Sequence, residues 1–137
     1  MDRGLSTTRT RLAMWMGSGF KHPGQSGFDS RRAQRLTHYC VIRQDLPRGV
    51  LAAQLIHAAG ESVRGALPEH TIAVALAADD EAHLLALERE LRRLGIAHRA
   101  IREPDPPWNG ALMAIGLEPV RDRARLRAVT GKLRLLK

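Results

Sequence analysis

Gln54, His57 and Glu61 are polar residues set among Ala, Leu, Ile and Val. Their spacings of three, four and seven put an amide, an imidazole and a carboxylate on one face of a helix. Buried without a partner, such a group costs about 1–3 kcal/mol. Two readings follow. One is a polar stripe aimed into a cleft, where Gln54 and His57 would serve catalysis. The other is a hydrogen-bond network that ties helix to loop. A second chemical cluster is Arg102-Glu103-Pro104-Asp105-Pro106-Pro107-Trp108-Asn109-Gly110. Its prolines stiffen the segment. Glu103 or Asp105 could orient a water or take its proton as a general base. Trp108 could stack on a base or a ribose. The plainer reading is a rigid hairpin connection with Asn109-Gly110 as its turn.

Other chemistries find no footing. The histidines His22, His38, His57, His70, His83 and His98 show neither HExxH nor His-x-His spacing, so no metal site is expected. There is no P-loop, no GxGxxG and no serine in a nucleophile elbow. The lone cysteine, Cys40, falls in an apolar run and reads as buried and inert. It can make neither an intramolecular disulfide nor a Cys-based zinc site, which fits a reducing, cytoplasmic setting. No apolar run is long enough for a membrane span.

These clusters must be positioned by a regular body. Tyr39–Arg43 is a short apolar run closed by Gln44–Gly49, which predicts a buried strand. Val50–Arg64 predicts a helix apolar nearly all round, packed on more than one side. Thr71–Leu76 predicts a strand covered on both faces. Asp79, Asp80 and Glu81 open the next helix, where carboxylates meet the positive dipole end. Leu84, Leu87, Leu91 and Leu94 line one face of that helix, and Gly95 stops it. Strands follow at Ile96–Ile101 and Ala111–Leu117. A last helix is expected over Val120–Val129, with Lys132–Leu136 a short strand or a tail. The order predicts an α/β, three-layer sandwich: a mixed four-stranded sheet with helices on both faces. Ligands then bind at the carboxyl ends of the strands, beside Gln44–Gly49, Leu76–Asp79 and Arg102–Gly110.

The chain has 137 residues and a formal net charge of +8. The charge sits at the ends: residues 1–40 and 118–137 each carry 7 basic and 2 acidic residues, against 8 and 10 between them. Residues 1–35, rich in Gly, Ser, Thr and Arg, read as a flexible basic arm. Residues 36–137 read as one domain. A strongly basic chain favours a polyanion partner, nucleic acid first. Arg92, Arg93, Arg121, Arg123, Arg125 and Lys132 are the candidates to hold phosphates; the alternative is a solvated helix face.

The stretch Val41–Ala59 resembles the opening signature of the type 2 peptidyl-tRNA hydrolases. Arg43, Asp45, Leu46, Gly49, Ala52, Ala53, Gln54, His57, Ala58 and Ala59 fit that family's strand, turn and helix. Ala78-Asp-Asp-Glu81, Ala114-Ile-Gly116 and Val129-Thr-Gly-Lys-Leu133 follow in the family's order. The resemblance covers residues 37–137 and is nearest in look to the divergent, peptidyl-tRNA hydrolase domain-containing branch. It implies hydrolysis of the ester between peptide and tRNA, with no metal or other cofactor, and it is compatible with a homodimer. The alternative is a tRNA- or RNA-binding protein that kept the fold and lost the chemistry. On this reading Glu103, Asp105, His57 and Gln54 are the catalytic candidates. Asp45, Arg48, Gly49, Trp108 and Asn109 are the substrate-binding candidates. Three positions depart from the family. Its catalytic lysine falls on Val50, with Arg48 the only cation nearby. Its catalytic Asp falls on Glu103, and its threonine falls near Ala111.

Overall fold

A computed structural model describes residues 35–137, so the arm expected over residues 1–35 lies outside the described residues apart from its last position. Strand β1, Thr37–Arg43, is buried along nearly its whole length. It pairs parallel with β2, Ile72–Ala78, and antiparallel with β4, Ala111–Leu117. Between β1 and β2 the chain forms helix α1, Arg48–Glu61. Helix α2, Glu81–Arg93, joins β2 to β3, His98–Glu103, which pairs antiparallel with β4. The sheet has five strands, not the expected four. Arg134–Leu135 forms β5 against Leu76 and Ala77, giving the order β3-β4-β1-β2-β5. A two-residue edge strand is too short to show a period in sequence.

Alternation along the strands divides the core. Val41 clusters with Leu84, Leu87 and Leu91 of α2, and its neighbour Ile42 clusters with Ala58 of α1. Helix α2 starts and stops as its sequence predicts. Asp80 caps it by accepting from the His83 N–H at 2.9 Å, and Gly95 leaves it with φ +64°.

Two expectations need correction. Helix α1 packs on one side only: it buries Gln54 and Ala58 and leaves Ala52, Ala53 and Ile56 exposed. Ala52 and Ala53 lose little by staying in water, so an apolar composition did not require cover all round, and Ile56 is the one large hydrophobic side chain of the helix left exposed. The last helix is also shorter than Val120–Val129. Val120 exchanges backbone hydrogen bonds with Thr37, and the Asp122 side chain accepts from the Ala124 N–H. Helical structure therefore begins only at Ala124, as a 3₁₀ turn over Ala124–Leu126 and then α3, Arg127–Thr130.

His38 on β1 is buried, with Nε2 2.7 Å from Ser62 Oγ. The Ser62 hydroxyl donates to the Ala58 carbonyl at 2.6 Å, so the His38 ring N–H donates to Oγ. Burial holds the His38 pKa below its usual value of 6.5. The unfolded chain therefore binds this proton first. Stability should fall as pH drops below about 6.5 and level off once the folded-state value is passed. Thermal melts from about pH 7.5 to 5.5 check this, because a His38→Gln variant should show a flatter pH dependence than wild type.

Candidate active site

The sheet and α1 bring two of the predicted residues together. Ile101 and Glu103 share a side of β3, and Ile101 packs in the cluster that includes Ala58 of α1. Arg102, between them, turns the other way to Glu88 of α2 at 3.0 Å. Glu103 therefore reaches α1, where Gln54 Nε2 donates to its Oε2 at 2.9 Å. The Asp105 N–H donates to the other oxygen, Oε1, at 3.2 Å. Two donors thus fix one half-buried carboxylate at the end of β3. A shift in β3–β4 register between Ile101 and Arg102 lies directly before it. Such irregularities re-aim the side chains beside them.

The loop after Glu103 is a built turn. Asn109 and Gly110 both have positive φ, and the Ala111 N–H donates to the Trp108 carbonyl at 3.0 Å. The Gly110 N–H donates to the Glu103 carbonyl at 2.7 Å, anchoring the loop at the carboxylate's own residue. The hairpin reading, with Asn109-Gly110 at the turn, is therefore borne out for this segment. The Asp105 side chain is exposed, and the Asn109 amide donates to the Pro107 carbonyl.

Trp108 is half-buried, and the Arg43 guanidinium lies 5.6 Å from its ring centroid. Arg43 also holds Asp45 with two bonds, 2.7 and 2.8 Å, and approaches Glu81 at 3.8 Å. The Arg43 bonds keep the Asp45 carboxyl below its ordinary range. Arg43 and Glu81 stand beside this cluster, and neither was among the site candidates read from the sequence. Arg43 stands two residues before Asp45 at a strand end, which is a local signal. Glu81 also accepts from the Leu112 N–H, 31 residues away, and nothing local announces that contact.

His57 does not join Gln54 and Glu103. Its side chain is 59% exposed and lies 3.9 Å from Glu61. Arg48 and Gly49 are exposed in the first turn of α1, which no side chain caps. Val50 and Ala111 pack with Trp108 in one apolar cluster. The positions to which the resemblance assigns the family's lysine and threonine are thus both apolar here, and Ala111 stands opposite Glu103 in the β3–β4 ladder. Among the described residues, no three His, Cys, Asp or Glu side chains converge to hold a metal ion.

Several basic candidates already have structural partners. Arg92 and Arg102 both hold the buried Glu88. Burial opposes ionisation of Glu88, but these arginines outweigh it and keep its carboxyl below the usual range. Arg93 pairs with Glu90. Arg125 donates to the Leu94 carbonyl at 2.9 Å and so caps the end of α2. Arg121, Arg123 and Lys132 are exposed.

A family model described as Peptidyl-tRNA hydrolase PTH2 matches residues 36–136. The chain belongs to this family. The resemblance read from Val41–Ala59 is therefore borne out across the whole described body. Among solved structures, one similar chain is a protein of unknown function from Agrobacterium tumefaciens. It is 15% identical, with a TM-score of 0.46, over 74% of this chain and 98% of that one. A search of the curated proteins finds no match. Membership of the peptidyl-tRNA hydrolase PTH2 family makes tRNA esters the family-level substrate. No described helix is long and apolar enough to cross a membrane.

Proposed function

We propose that this chain hydrolyses the ester bond of peptidyl-tRNA, or of an N-blocked aminoacyl-tRNA, to release free tRNA. The observation that carries the reading is the Glu103 carboxylate, held by Gln54 and the Asp105 N–H at 2.9 and 3.2 Å. Ester hydrolysis needs a positioned water, a proton acceptor, and donors for the developing oxyanion. Glu103 is the acceptor. With its orientation fixed, it takes a proton from the attacking water and later passes one to the departing ribose oxygen. The Gln54 amide has a second N–H beyond the one given to Glu103. The first-turn N–H groups of α1, at Arg48, Gly49 and Val50, have no partner within the helix. Either set can receive the oxyanion. Trp108, stiffened by its loop and by Arg43, offers a wall for the terminal base. His57 has no part in the reaction.

The supporting scaffold is a three-layer one, with α1 and α2 over opposite faces of the sheet. The alternate partners of Val41 and Ile42 support this. Cytoplasmic translation is the setting such a substrate requires.

The basic C-terminal segment would hold tRNA phosphates without reading sequence. Binding should weaken linearly on a log–log salt plot. Removing Arg123 and Lys132 together should lower the slope by about 2, one per lost phosphate contact. Filter binding across a salt series checks this. The direct test of function is release of the acyl group from N-blocked aminoacyl-tRNA, with tRNA binding followed in parallel. The second reading, binding without chemistry, draws on the apolar residues at positions 50 and 111. It predicts salt-sensitive binding and no release.

A further inference from the structure

Helix α2 buries Leu84, Leu87, Glu88 and Leu91. Glu88 is thus a carboxylate set inside an otherwise apolar stripe. Taking a charge out of water is costly, and replacing a buried Arg–Glu–Arg group by apolar side chains is often neutral or stabilising. Stability alone is therefore a poor account of Glu88. Its two bonds offer another. Oε1 accepts from Arg92 of the same helix at 2.8 Å, and Oε2 accepts from Arg102 of β3 at 3.0 Å.

Arg102 sits where the sheet is least supported. Strand β3 is the outer strand of the described sheet, so β4 alone pairs with it. Their ladder shifts register between Ile101 and Arg102, and Met113 falls in the gap with no partner on β3. Past the shift, the ladder continues only through Arg102–Leu112 and Glu103–Ala111. Such irregularities bend and twist a ladder, so a short end beyond one needs another support. Helix α2 grips that end by both strands. Glu88 holds the Arg102 side chain, and Glu81 accepts from the Leu112 N–H at 3.0 Å. The two carboxylates are seven residues apart, hence on one face of α2. Successive strand residues point to opposite sides. With Arg102 pinned on the α2 side, Glu103 is set on the α1 side, where Gln54 meets it.

We infer that Glu88 and Arg102 are positioning residues, a clamp on the end of β3 that fixes where Glu103 presents its carboxylate to Gln54. The inference rests on the reading of Glu103 as the proton acceptor. The test uses Glu88→Met, Arg102→Met, their double variant and Arg102→Lys in the full chain. In each methionine variant kcat for acyl release should fall about 10–100-fold at unchanged KM and tRNA affinity, because a displacement of about 1 Å can cost that much. The double variant should fall no further than either single, since each breaks the same clamp. It should also melt no lower than either single, since no charge is left buried without its partner. Arg102→Lys keeps a donor for Glu88 and should regain most of the loss. The Gln54 side-chain amide gives a readout without turnover. Its NMR signals should move toward those of a free amide in the methionine variants and return in Arg102→Lys. Signals that stay at their wild-type positions in Glu88→Met and Arg102→Met overturn the inference, even if the wild type releases no acyl group. So do additive losses of kcat, or a loss confined to KM, which would make Arg102 a tRNA contact. If the signals move while turnover is unchanged, the clamp stands and Glu103 is not the base.

Discussion

Replacing Glu103 by Gln is expected to lower kcat by about 10²–10⁴-fold, the usual contribution of a positioned general base. The substitution keeps the side chain's shape. Gln54 can turn its amide to present oxygen to the new N–H₂, so the contact with α1 survives in another polarity. The Asp105 N–H still finds the remaining oxygen. What is lost is the capacity to take a proton from water. tRNA affinity should therefore hold while turnover falls. Asp105→Asn should cost far less, because Asp105 touches Glu103 through its backbone N–H and its side chain is exposed. Steady-state kinetics of both variants on N-blocked aminoacyl-tRNA separates them. If Asp105→Asn has the greater effect, the base is Asp105.

The largest expected stability loss lies at Gly116. This residue stands opposite Cys40 in the β1–β4 ladder, where α1 crosses the sheet. A methyl there would overlap the Ala58 carbonyl oxygen and lie 2.5 Å from Ser62 Oγ. Neither neighbour can give way cheaply. The carbonyl is backbone, and Ser62 is tied to both Ala58 and the buried His38. Gly116→Ala should cost about 3 kcal/mol, at the upper end for overpacking. That corresponds to a fall in Tm on the order of 10 °C. Because the same contact seats Gln54 over Glu103, kcat should fall in the protein that remains folded. Calorimetry checks the first effect; an unchanged Tm would mean that α1 does not ride this close to the sheet.

Much of the fold was legible because its signals were local. Asp80, the leucine stripe and Gly95 define α2 without help from the rest of the chain. The apolar run and turn at Tyr39–Gly49 do the same for β1. Strand β5 was legible only as one of two alternatives for Lys132–Leu136, a short strand or a tail, since two residues carry no period. The one-sided packing of α1 was hidden by its Ala and Gly content, which reads as apolar whether or not it is covered. In the site, Gln54 and Glu103 each stood out in sequence. Their contact spans 49 residues and depends on strand alternation in β3 and on which way α1 faces. His57 shows the limit of helix-face reasoning. Three residues from Gln54, it lies past the edge of the buried face and turns to solvent. Arg43 and Glu81 both lie in short motifs, but the stacking of Arg43 on Trp108 and the reach of Glu81 to the Leu112 N–H are tertiary contacts that those motifs do not encode.

The most direct measurement is acyl release from N-blocked aminoacyl-tRNA by wild-type and Glu103→Gln proteins side by side, with tRNA binding recorded for each. Steady turnover by the wild type, falling about 100-fold or more in the variant at equal tRNA affinity, is the predicted result. Tight, salt-sensitive tRNA binding by the wild type with no release, or equal release by both proteins, would contradict a Glu103-based hydrolase.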